Sequence, residues 1–169
     1  MSTMKKLLIV YQSLTGGAAQ MAQAAATGAA CAAGTGNVSV QLVTAPSAGP
    51  QLLLESDGYL FVCPENLAAI AGLMKDFFDR CYYPVLERLN GRPYATLICA
   101  GSDGSNAARQ IERIATGWRL KEIALPLIVC THAQTPEEIL KPKQIGEADL
   151  ERCREIGATL AAGLELGIY

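Results

Sequence analysis

The sequence has one histidine and one tryptophan, and its six cysteines include no CxxC pair. Cys31, Cys63, Cys81, Cys99, Cys130 and Cys153 are scattered, most of them inside apolar segments, so they read as reduced thiols packed as small hydrophobes. His132 has no clustered cysteine or carboxylate near it in sequence, which leaves a metal site or a Cys-His nucleophile pair without support. An excess of one charge is also missing. Fourteen basic against sixteen acidic residues give a net charge of −2 with no basic cluster, which argues against nucleic acid or a membrane surface as a partner. A small molecule is the expected partner. Neither GxGxxG nor GxxxxGK[ST] occurs, so the common dinucleotide and nucleoside triphosphate loops are absent.

No apolar run is long enough to span a bilayer, although half of the residues are apolar. The start, "MSTMKKLLIVY", places two lysines before only about five apolar residues and offers no small-residue cleavage site. One cytoplasmic domain over 1–169 is expected.

Five short apolar runs are strand candidates: 7–11 (LLIVY), 38–44 (VSVQLVT), 58–63 (GYLFVC), 94–100 (YATLICA) and 125–130 (LPLIVC). The second alternates Val38, Val40 and Leu42 with Ser39 and Gln41, the pattern of a half-exposed edge. Helical spacing predicts helices over about 17–33, over 67–86, from Asn106 through Trp118, and near the C-terminus through Leu150, Cys153, Gly157, Leu160, Ala161 and Leu164. Between the second and third strands, the Pro/Gly-rich stretch 45–51 stands in for a full helix. The alternation predicts an α/β protein: a three-layer, doubly wound, five-stranded parallel sheet in the order 2-1-3-4-5. Its switch point lies between the first and third strands, so ligands are expected at the loops after strands one, three and four.

Loop one runs from Gln12 to Ala18. Glycines leave its backbone approachable, the following helix offers N–H groups, and Ser13 and Thr15 add hydroxyls, which together suit a phosphate. It equally fits a helix cap with Thr15 as the N-cap residue. Loop two, "CPENLAAIAG", places Glu65 and Asn66 after a strand-ending Pro64, and Asn66 also fits a cap on the next helix. Loop three, "AGSDGSNAA", suits a tight turn or the edge of a planar ring. Asp103 would repel phosphate, so a ring-edge or second-substrate role is expected for it.

Taken together, "YQSLTGGAAQMAQA", "DGYLFVCPENLAAIAGLMKDFFDR" and "GRPYATLICAGSDG" resemble the flavodoxin-like superfamily, and within it the NAD(P)H-dependent FMN and quinone reductases. The middle motif is the most specific, matching at Asp57, Pro64, Gly72, Lys75, Phe77, Asp79 and Arg80. The resemblance implies non-covalent FMN, with its phosphate on Ser13, Leu14, Thr15, Gly16, Gly17 and Ala18. It implies the ring between Pro64, Glu65, Asn66 and Leu67 on one side and Gly101, Ser102, Asp103 and Gly104 on the other. NADPH or NADH would be the electron donor and a quinone or flavin the acceptor, with no side chain needed as an acid or base.

Loop one departs from the family pattern, because Gly17 and Ala18 stand where Asn and Thr are usual. A hydrogen bond lost to a charged oxygen is worth about 1.5–3 kcal/mol, roughly ten- to hundredfold in affinity, so weakened FMN binding is expected. A carboxylate at Glu65 would disfavour anionic reduced flavin if turned inward and would be neutral in effect if turned to solvent. The rival readings are a one-electron carrier and a flavin-poor regulatory protein that keeps the fold. Residues 131–147 fit a lid or a partner surface. Tyr82, Tyr83 and Pro84 fit either a homo-oligomer contact or a local cap on the core.

Overall fold

A computed structural model describes residues 4–34 and 36–169. The first three residues of the chain start discussed above therefore lie outside the described residues. Strand β1 (Lys5–Tyr11) leads through loop one into helix α1 (Gly17–Ala32) and edge strand β2 (Val38–Thr44). A 3-10 turn (Ala45–Ser47) and the short helix α2 (Pro50–Glu55) then lead to β3 (Gly58–Asn66). The order continues with β4 (Ala69–Ile70), α3 (Gly72–Cys81), β5 (Pro93–Ala100) and α4 (Ser105–Gly117). After β6 (Lys121–Glu122), β7 (Leu127–Cys130) and α5 (Pro136–Leu140), α6 (Glu147–Leu166) closes the chain.

The strands pair in the order β2-β1-β3-β5, all parallel, with β6 and β7 sharing the position beyond β5. This is the expected 2-1-3-4-5 arrangement, with its last strand interrupted at 123–126. Pro126 lies in the interruption and has no N–H to donate to a ladder.

Side-chain alternation sends Leu8, Val10, Tyr59 and Phe61 to one face of the sheet and Leu7, Ile9, Leu60 and Val62 to the other. The first face carries the large residues. Phe61 touches Tyr59, Phe77, Phe78, Tyr94 and Trp118 there, under α3 and α4. The second face is covered by alanines of α1 and by α6. Gly28 and Gly157 let these two helices touch backbone to backbone: a Cβ on either would overlap the main chain of Arg154 or Ala25.

The helix predicted over 67–86 is shorter than its apolar spacing implies. Leu67 and Ala68 both have positive φ, 51° and 61°, and turn β3 back into β4 as a hairpin before α3 begins. The stretch 45–51 is not purely a loop either, since its end opens α2. Tyr82 stacks on Trp118 as a local cap, while Tyr83 is exposed.

Two fixings of the frame lie at the N-terminal rim of the sheet. Asp57 accepts the Lys5 ammonium at 3.1 Å and the Lys6 N–H at 2.9 Å. Arg92 turns its guanidinium to the carbonyls of Leu53, Leu54 and Ser56 and to the Tyr59 hydroxyl. Along α3, Arg80 reaches the carbonyls of Ala45 and Ala48 and holds the 3-10 turn.

Candidate functional site

Loops one and three follow the C-terminal ends of β1 and β5, while Pro64 does not end its strand: β3 runs on through Pro64, in register with Cys99, to Asn66, so loop two starts within the end of β3 and the three meet on the opposite rim. In loop one the N-cap of α1 is Gly16, not Thr15. Gly16 has φ of 91°, a left-handed conformation that side chains disfavour. Its N–H donates to Ser13 Oγ at 3.1 Å, which leaves the Ser13 proton free to donate outward. Among the described residues, no side chain caps this helix end and no acid sits in its first turn. The N–H groups of Gly17, Ala18 and Ala19 therefore begin the helix as open donors at the positive end of its dipole.

The departures from the family pattern have a packing cause at Gly17. A Cβ there would lie 2.7 Å from Cys99 Sγ and 3.3 Å from Lys143 Cβ. Ala18 is only 2% exposed, within the small-residue core. Residues 141–146 form a strap over this side of the loop. The Lys143 N–H donates to the Thr15 carbonyl at 2.8 Å, and Gln20 bonds the carbonyls of Gly16 and Lys143 and the N–H of Ile145. The Lys143 ammonium turns back to the carbonyls of Glu138, Ile139 and Lys141 near the end of α5. Lys143 thus contributes backbone to loop one and gives its charge to α5. The segment 131–147 is accordingly a short helix plus this strap.

In loop two the half-buried Glu65 carboxylate is turned to α4. It accepts the N–H groups of Gly104 and Ala107 and closes the start of α4. Asn66 caps no helix. It pairs with Ala69 in the hairpin, and α3 begins after Ala71 without a side-chain cap. Leu67 at the hairpin tip is fully exposed. In loop three Gly104 has φ of 86° and packs where a Cβ would meet Ile128 Cγ2 at 2.6 Å. Gly101 lies against the Ala133 carbonyl, and Ser102 and Asp103 are exposed. The hydroxyl and N–H of Ser105 hold the Asp103 carboxyl below the ordinary carboxylate range.

Beside the strap a cavity of about 440 Å³ opens between Thr131, His132, Lys141 and Asp149. His132 is exposed there with φ of 60°. No group of three or more His, Cys, Asp or Glu suited to a metal ion occurs among the described residues. None of their helices is long and apolar enough to cross a membrane.

Three open N–H groups, two hydroxyls and no acid in loop one form a donor set that fits a phosphate dianion. Loop three presents backbone and small side chains, and loop two the exposed Leu67, to the same rim, which fits a planar ring held by its edge. Fold and site together define a flavodoxin-like flavoprotein. Residues 48–135 match the family described as NADPH-dependent FMN reductase, just over half of the chain, and the chain belongs to that family. The match includes loops two and three and excludes loop one. Membership places the chain among FMN-binding flavoproteins of redox function.

No curated protein matches. Among solved structures, the chain is similar to a flavodoxin from the domain Archaea, with 20% identity, TM-score 0.71 and 95% of this chain covering 99% of that one. It is also similar to a WrbA-like flavodoxin from Agrobacterium tumefaciens, with 16% identity, TM-score 0.72 and coverages of 96% and 98%. The rubredoxin oxygen:oxidoreductase of Desulfovibrio gigas gives 14% identity and TM-score 0.77, with 99% of this chain spanning 38% of that one. At these identities the likeness is one of fold.

Proposed function

We propose that the chain holds FMN non-covalently and acts as an NAD(P)H-dependent reductase of a quinone or flavin acceptor. The observation that carries this reading is the open start of α1, free of acid and of a capping side chain, on the rim where loops two and three converge. Ser13, Thr15 and the N–H groups of Gly17 and Ala18 would hold the phosphate, with Leu14 and Gly16 shaping the loop. Pro64 to Leu67 and Gly101 to Gly104 would flank the ring. Bound FMN would supply two-electron redox chemistry between a reduced nicotinamide and the acceptor.

The chain's own residues supply orientation. Loop three would meet the ring edge with its backbone, its glycines Gly101 and Gly104 being set by close packing on Ala133 and Ile128, the hairpin tip would flank the ring, and the strap keeps loop one in register with α1. No acid or base is assigned, since the carboxylates of the hairpin and loop three, Glu65 and Asp103, both accept structural hydrogen bonds at the start of α4. In this reading the partners are a nicotinamide and a small acceptor, in the cytoplasm, with neither nucleic acid nor membrane. A net charge of −2 gives little of the acidic docking surface that a carrier protein uses.

A flavin titration followed by turnover tests the proposal. The purified protein should quench FMN fluorescence at micromolar to millimolar FMN and then oxidise NADPH or NADH with a quinone. Failure to bind FMN would leave the regulatory reading, and binding without turnover of either nicotinamide would leave the carrier.

A further inference from the structure

Glu65 stands near the end of β3, in the loop assigned above to the ring, yet its carboxylate belongs to another helix. Oε1 accepts the N–H of Gly104 at 2.9 Å and Oε2 that of Ala107 at 3.0 Å. These are the N-cap and third positions of α4, two of the donors that make its positive end. The first turn of α4 holds no acid of its own. Two further ties join the same helix to the same hairpin: Asn106 Nδ2 donates to the Ala68 carbonyl at 2.5 Å, and Gln110 Oε1 accepts the Ile70 N–H at 2.9 Å. Of the two long helices that start on this rim beside the proposed site, α1 is open and α4 is closed by the protein's own carboxylates, the half-buried Glu65 on Gly104 and Ala107 and the exposed Asp103 on Ser105.

The two ends would serve different parts of a flavin. A phosphate keeps its charge when the ring is reduced, so the open end of α1 changes affinity without favouring either redox state. The ring gains negative charge on reduction, and an open α4 end beside it would favour the reduced form. We propose that Glu65 is a positioning residue that lowers the reduction potential of bound FMN, by occupying the positive end of α4 and fixing the hairpin against loop three. The proposal rests on the FMN reading.

Glu65→Gln keeps the shape and removes the charge, and the midpoint potential of the FMN-loaded protein is measured against a reference dye at low salt. The expected result is about a tenfold gain in affinity for reduced over oxidised FMN, which is a midpoint about 30 mV more positive for a two-electron couple. Glu65→Asp, which retains the charge, should bring the midpoint back towards the wild-type value. In the flavin-free protein, amide exchange at Gly104 and Ala107 should quicken in E65Q. If E65Q does not fold, Ser105→Asp on the exposed first turn of α4 adds a charge of the same sign and should lower the midpoint. A midpoint unchanged in whichever variant folds would overturn this proposal alone, whereas a wild-type protein that takes up no FMN would overturn both it and the FMN reading.

Discussion

Gln20 and Lys143, 123 positions apart, are joined side chain to backbone: the Gln20 amide donates to the Lys143 carbonyl at 2.7 Å. The same side chain donates to the Gly16 carbonyl at 3.1 Å and accepts the Ile145 N–H at 3.0 Å. One amide thus ties the start of α1 to the strap and makes loop one and residues 143–145 a single unit.

Gln20→Ala should therefore loosen the strap and the loop together. It removes three hydrogen bonds from a half-buried position and should cost about 1–3 kcal/mol of stability. The Ile145 amide should exchange faster in deuterium-exchange experiments, and FMN affinity should fall in parallel. Loss of stability without faster exchange at Ile145 would mean that the strap is held by other contacts.

The two departures in loop one should respond oppositely to reversal. Ala18→Thr restores a hydroxyl and should tighten FMN binding roughly tenfold, while lowering the unfolding temperature of the flavin-free protein because position 18 is buried. Gly17→Asn should weaken binding, since its Cβ would displace Cys99 or Lys143. Calorimetric titration of both variants checks the pair.

At the crossing of α1 and α6, Gly28→Ala and Gly157→Ala should each destabilise by about 1–3 kcal/mol, as a methyl group has only backbone to meet. The double variant should cost less than the sum, because helices already pushed apart by one methyl group have room for the second. Urea unfolding of the three variants measures both effects.

Alkaline pH should unfold the protein through its buried thiols. Burial pushes Cys63 and Cys153 up to about 12 and Cys81 and Cys99 up to about 11, and the Tyr59 hydroxyl up to about 12. The folded protein holds these protons more tightly than the unfolded chain, in which thiols titrate near 8.5. Stability should be full at neutral pH, begin to fall near pH 9, and decline as pH approaches 11 to 12. In the native protein at pH 7.5, iodoacetamide should reach the exposed Cys31 first and spare these four, as mass spectrometry would show.

The sheet order was legible because each parallel strand carried its burial in its own letters, and the alternation at Val38, Val40 and Leu42 put that strand at the edge. The hairpin was not legible. Its turn uses Leu67 and Ala68 in a left-handed conformation that only glycine or asparagine advertises, and the apolar spacing of Ile70, Leu73 and Met74 runs unbroken across the boundary between β4 and α3. Loop one could be placed from sequence, but its N-cap could not. Thr15 has the better capping chemistry, and Gly16 takes the position because the backbone must turn there through positive φ. The role of Glu65 was hidden because its partners lie 39 and 42 residues away. Gln20 carried no signal of its own, only its place four residues after Gly16. The motif that best matched the family proved largely architectural: Asp57 fastens β1, Arg80 holds the 3-10 turn, and Phe77 lies in the core.

The Asp57 and Arg92 fixings sit on the rim of the sheet opposite the ligand loops, with the length of the strands between them. Loop one could therefore give up two polar letters without endangering the fold, and the same separation leaves room for further change: a descendant of this chain could alter its choice of acceptor, or abandon its flavin, and still fold on the same clamps.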